Sequence, residues 1–195
     1  MRRPAFFRGA ARFLDDWSDS AVNTRKLVLS AMFLAMALVM PYLTGQIPQI
    51  GAMLTPMHIP VLLCGFVCGP LSGLAVGLIA PILRYALFGM PPIVPTGAAM
   101  AFELAAYGAA SGWMVRILPK KTGFLYLALV ISMLAGRMVW GAASALLLTA
   151  RGGAFPLSAF LAGAFLNAWP GILCQICLIP PLVQALNRIP SEKRR

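Results

Sequence analysis

The sequence predicts an all-α integral membrane protein of six transmembrane helices, the second of them short, with the N and C termini both cytoplasmic. Three observations predict it. Apolar residues make up 60% of the 195 and charged ones only 11%, against about 25% charged in soluble domains. Several apolar runs reach the roughly 20 residues that cross a ~30 Å hydrocarbon core. The basic residues behind the formal charge of +11 gather at the ends of those runs. That is the pattern of Lys- and Arg-rich cytoplasmic loops, not of a stripe that tracks phosphates, so nucleic-acid binding is set aside.

Residues 1–25 read as a basic N-terminal cytoplasmic or interfacial segment, with Phe6, Phe7, Phe13, Leu14 and Trp17 among its arginines. No long apolar stretch or small-residue cleavage site follows, so it is not a cleaved signal peptide. It is either an amphipathic stretch on the inner leaflet or a frayed tail. Residues 26–188 form the six-helix transmembrane domain, and 189–195 a basic C-terminal tail. The first span covers 26–43 and carries Ala31 and Ala35, a small-xxx-small spacing that admits a close helix neighbour. The loop over 44–57 is uncharged and rich in Pro and Gly, which suits an outer face and a lid-like position.

Residues 59–88 are too long for one upright span and too short for two full ones. Gly69-Pro70 breaks the run into a short helix at 59–68 and a full one at 70–88. Charge placement supports the division. With six spans, Arg2, Arg3, Arg8, Arg12, Arg25, Lys26, Arg116, Lys120, Lys121, Arg188, Lys193, Arg194 and Arg195 all fall inside, and only Arg151 falls outside. Counting 59–88 as one span would abolish that bias. The fourth span runs over 95–117, the fifth over 124–150 and the sixth over 156–186, bent at Pro170-Gly171.

Polar residues inside these spans are the functional candidates, because a charge at the bilayer centre costs roughly 2.5–3.5 kcal/mol on insertion scales. His58, Arg84, Glu103, Arg137 and Asn167 fall at similar depths toward the outer side, with Tyr85, Tyr107, Trp140 and Trp169 within about a turn of them. A pocket with aromatic walls and a few polar anchors is the usual form of a small-molecule site. Glu103 and Arg137 are either ligand contacts or an ion pair that staples two helices. Arg84 leaves a second guanidinium against one carboxylate, which favours a bound anion, with snorkelling to the interface as its competing account.

Enzymatic chemistry and cofactors find no footing. A single histidine rules out an HExxH zinc site, and there is neither a GxSxG elbow nor a glycine-rich phosphate loop, so ATP hydrolysis is not intrinsic to the chain. Cys64, Cys68, Cys174 and Cys177 read as small apolar core residues rather than a Cys₄ zinc site.

The tracts PVLLCGFVCGP (60–70), FGMPPIVPTGAAMAFELAAYG (88–108), GRMVWG (136–141) and FLNAWPGILCQICLIP (165–180) resemble those of the substrate-binding S components of energy-coupling factor (ECF) vitamin transporters. So do the six spans, the Ala31/Ala35 pair and the lid-like loop before His58. The resemblance implies a multi-pass protein of the prokaryotic cytoplasmic membrane that captures a small water-soluble vitamin or precursor from outside. It also implies association with a transmembrane coupling protein and two ATPase subunits, with Ala31 and Ala35 facing the coupling protein. The substrate-binding residues expected are Arg84, Glu103, Arg137, Asn167, Trp140, Tyr107 and His58. The excess positive charge points to a carboxylate-bearing ligand such as pantothenate, followed by a pyridoxine-type or pyrimidine one. A self-sufficient secondary transporter or channel is the rival reading, and a scaffold protein whose charges only join helices is the third.

Overall fold

The computed structural model describes residues 24–44, 53–119 and 122–188, and every regular element among them is helical. The interfacial segment expected over 1–25, apart from Thr24 and Arg25 at the start of the first helix, and the basic tail over 189–195 lie outside the described residues, as does most of the 44–57 loop.

Helix α1 spans Thr24–Val39 and ends in a 3₁₀ turn over Met40–Thr44. Its buried residues, Phe33 and Ala37, are one turn apart on one face. The opposite face carries Leu27, Val28, Met32, Met36 and Val39, all exposed, with Ala31 and Ala35 exposed between them.

The short helix α2 (His58–Cys68) is buried along nearly its whole length. It is apolar on every side apart from His58, as a helix must be when neighbours surround it. At 1.5 Å per residue its 11 residues reach about 16 Å, half a bilayer core. It contacts α1, α3 (Pro70–Phe88), α4 (Ala98–Ile117) and α7 (Trp169–Arg188). The break between α2 and α3 is Gly69, whose φ of 101° is open to glycine at little cost, followed by Pro70 in the first helical turn.

Glycines set how closely α2, α3 and α4 approach. A Cβ on Gly73 or Gly108 would run into the other residue's carbonyl, one on Gly77 would meet the Leu104 carbonyl, and one on Gly65 would meet Ser111 and the Gly108 carbonyl. Helices that gain no hydrophobic drive from leaving lipid associate through such backbone-level contact. Helix α5 (Thr122–Thr149) packs on the far side of α4.

The last span differs from expectation. In place of one helix over 156–186 there is a short helix α6 (Leu157–Leu161), a π-type turn over Ala162–Leu166, and then α7. The interruption falls at Asn167 and Ala168, just ahead of Pro170, not at Pro170-Gly171. Proline has no N–H for the carbonyl four residues back, and its ring crowds that carbonyl, so a helix continues through it only with difficulty. The Asn167 N–H instead reaches the Ala162 carbonyl, at 2.9 Å. Among the described residues five helices are long and apolar enough to cross a membrane, and His58–Cys68 and Leu157–Leu166 are shorter apolar pieces.

Ring and side-chain contacts sort the ends of the bundle. Tyr42 meets Phe88 edge-on at 5.4 Å between centroids, and Arg151 beyond α5 donates to the Val94 carbonyl before α4, at 3.3 Å. Gly69 and Arg116 meet at the opposite end.

Candidate functional site

A carboxylate deep in an apolar bundle needs a partner, and Glu103 has one hydrogen-bonded partner and one close polar neighbour. It sits in the second turn of α4, 3% exposed, and its Oε1 accepts a hydrogen bond from Arg137 Nη1 at 2.8 Å. The same oxygen lies 3.4 Å from His58 Nε2, at the start of α2. That approach is close without the alignment of a hydrogen bond, and neither ring nitrogen of His58 has a hydrogen-bond partner. Tyr107, one turn along α4 from Glu103, meets the His58 ring edge-to-face at 5.1 Å. Three elements thus bring four polar residues together: α2 supplies His58, α4 supplies Glu103 and Tyr107, and α5 supplies Arg137.

Local sequence explains the closeness. Gly136 precedes Arg137, and a Cβ there would stand 2.8 Å from the Tyr107 ring. Glycine lets the ring lie directly on the α5 backbone. His58 is set by the segment before it, because its backbone N–H donates to the Thr55 carbonyl at 3.1 Å. Thr55 itself has φ of 44°, uncommon for a β-branched residue. Its hydroxyl accepts from Gln175 Nε2 of α7 at 2.8 Å. Residues 53–55 also rest on Gly171, where a Cβ would stand 2.6 Å from the Met53 carbonyl and 2.8 Å from that of Leu54.

The electrostatics of the cluster close on themselves. One carboxylate faces one guanidinium, and breaking such a buried pair costs about 3–5 kcal/mol. What is left open is hydrogen-bonding capacity. The Tyr107 hydroxyl, Arg137 Nε and both His58 nitrogens are buried without a hydrogen-bond partner, as is Gln175 Oε1 on α7. Each such group costs on the order of 1–3 kcal/mol. Among the described residues these five atoms are unmet hydrogen-bonding capacity, and buried groups of this kind call for a partner.

The other expected site residues have different neighbours. Arg84 is buried, but Nη1 donates to the Leu38 carbonyl at 2.9 Å, and its guanidinium lies 5.9 Å from the Tyr42 ring and 5.5 Å from that of Phe88. Carbonyls in the last turn of a helix carry its negative end, so α1 itself offers a counter-field to this cation. Trp140 packs with Phe155 and Phe160 and covers Gly163. Asn167 is exposed at the helix interruption. Thr55, Gly136, Gly171 and Gln175 were missed at the level of sequence. Gln175 carried a usable signal, as the one amide inside the apolar run GILCQICLIP.

Cys64 and Cys68 are buried on α2, whereas Cys174 is half-buried and Cys177 exposed on α7. Among the described residues no three His, Cys, Asp or Glu gather as metal ligands.

The family model for the substrate-specific component of ECF transporters matches residues 25–183. Comparisons with curated proteins and with solved structures found no match.

Proposed function

The chain belongs to the substrate-specific components of ECF transporters, and from that premise we propose that it captures a small water-soluble vitamin or vitamin precursor from outside the cell. ATP-driven release to the inside would fall to a transmembrane coupling protein and two ATPases of the ECF module. The ligand is bound at the His58–Glu103–Tyr107–Arg137 cluster. The observation that carries this reading is the set of buried, unpartnered polar atoms around an ion pair that is already neutral.

That neutrality bears on the ligand's charge. A carboxylate ligand was expected because two guanidiniums faced one acid. Arg84 is met by the Leu38 carbonyl and two rings, so the cluster has no unmatched charge of its own. A neutral molecule with several donors and acceptors, of the pyridoxine type, is the better complement. Pantothenate is the second reading, favoured by one observation, the unpartnered Arg137 Nε donor.

Titration of the purified protein with pyridoxine and pantothenate side by side tests the choice. Tight pyridoxine binding with weak or absent pantothenate binding is the expected result. The reverse order would restore the carboxylate ligand, and binding of neither would remove both.

A further inference from the structure

We propose that Gln175 is a ligand-contacting residue of this site, its Oε1 accepting a hydrogen bond from a hydroxyl or N–H of the bound molecule. This rests on the reading that a polar small molecule occupies the cluster around Glu103. Gln175 is 1% exposed. Its amide is half used: Nε2 donates to the Thr55 hydroxyl, and Oε1 has no partner. A glutamine placed only to tether a loop has no need to bury an idle acceptor, which costs as much as the tether stabilises.

The surroundings connect this acceptor to the cluster. Thr55 receives the Gln175 N–H at its hydroxyl and the His58 N–H at its carbonyl, so one residue joins α7 to the start of α2. Gly171, one turn before Gln175 on the same face of α7, seats the backbone of residues 53 and 54. The segment 53–57 is thereby held from α7 at one end and leads into the His58 imidazole beside Glu103 at the other. Gln175 therefore does two things: Nε2 fixes the segment that positions His58, and Oε1 selects for a ligand hydrogen-bond donor. A site built to accept such a hydrogen discriminates against analogues that lack it.

A double-mutant cycle separates these two roles. Pyridoxine affinity is measured on purified wild type, Gln175→Met, Thr55→Val and the double variant. Met keeps the length of Gln without its polar atoms, and Thr55→Val removes only the tether. The expected result is about a tenfold loss for Gln175→Met beyond that of Thr55→Val, and a double variant about tenfold weaker than Thr55→Val alone. A double variant no weaker than Thr55→Val would overturn the proposal, since Gln175 would then act through Thr55 only. If Gln175→Met does not yield folded protein, Gln175→Asn, which withdraws the amide by one methylene, makes the same comparison.

Failure of the pyridoxine reading is distinguishable. Should wild type bind no pyridoxine, native mass spectrometry of the four proteins purified from rich medium compares retention of whatever small molecule the wild type carries. Loss from Gln175→Met with retention by Thr55→Val supports the proposal, and equal retention by both overturns it. A wild type that carries nothing and binds neither pyridoxine nor pantothenate overturns the site and this inference together.

Discussion

Glu103 is the sole acidic residue between Asp19 and Glu192, so every intramembrane cation that lacks its oxygen must be stabilised another way. Arg137 takes the carboxylate, and Arg84 takes a helix-end carbonyl and two aromatic faces. Arg84→Ala should therefore lower the thermal unfolding midpoint, at a cost of about 1–2 kcal/mol, and leave ligand affinity within about twofold. A large loss of affinity in a protein of unchanged stability would return Arg84 to the binding site. Glu103→Gln strands the Arg137 charge and should cost about 3–5 kcal/mol. The double variant Glu103→Gln/Arg137→Met buries no lone charge and should be more stable than Glu103→Gln alone. Unfolding of the three proteins in the same detergent checks that order.

Between elements, backbone proximity takes the place of hydrophobic drive. Gly73, Gly77 and Gly108 leave α3 and α4 in backbone contact, and any side chain at Gly108 meets the Gly73 carbonyl. Gly108→Val should push the two helices apart and cost more than about 2 kcal/mol, read as a fall in unfolding midpoint together with loss of ligand binding. Binding is lost as well because α4 carries Glu103 and Tyr107. The small residues of α1 behave differently. Ala31 and Ala35 lie on its exposed face, where nothing in the bundle covers them among the described residues. Ala31→Leu or Ala35→Leu should leave ligand affinity intact and weaken co-purification with the coupling protein. Loss of binding with assembly intact would place that stripe in the core instead.

At the scale of the whole molecule, orientation in the membrane follows from where the basic residues lie. The Val94–Arg151 contact and the Tyr42–Phe88 contact mark one end of the bundle, and the Gly69–Arg116 contact marks the other. Most loop Lys and Arg fall on the Arg116 side in the six-span reading, and on that pattern we propose that side as the cytoplasmic one. A reporter fused after Lys121 or at Arg195 should then read as cytoplasmic and one after Gly153 as external. External signals from the first two would reverse the topology.

Sequence alone determined the membrane class, the helix ends at Gly69-Pro70 and the wider set of intramembrane polar candidates from which the cluster is drawn, since composition, prolines and intramembrane charge act locally or through solvation. Each of these can be read without knowing what lies beside it. Tertiary structure decided which polar residues meet. Depth along a span says nothing about which face of a helix a residue occupies, and so Arg84, at a depth similar to Glu103, turned out to face α1 and its aromatic neighbours. The same limit hid Gln175 and Thr55, which are 120 positions apart in the chain and become partners only because α7 packs against α2. The interruption at Asn167 and Ala168 lay between the two. Pro170 announced a disturbance, but whether the helix bends or breaks depends on whether neighbouring groups satisfy the freed backbone atoms, and that is a property of the packed bundle.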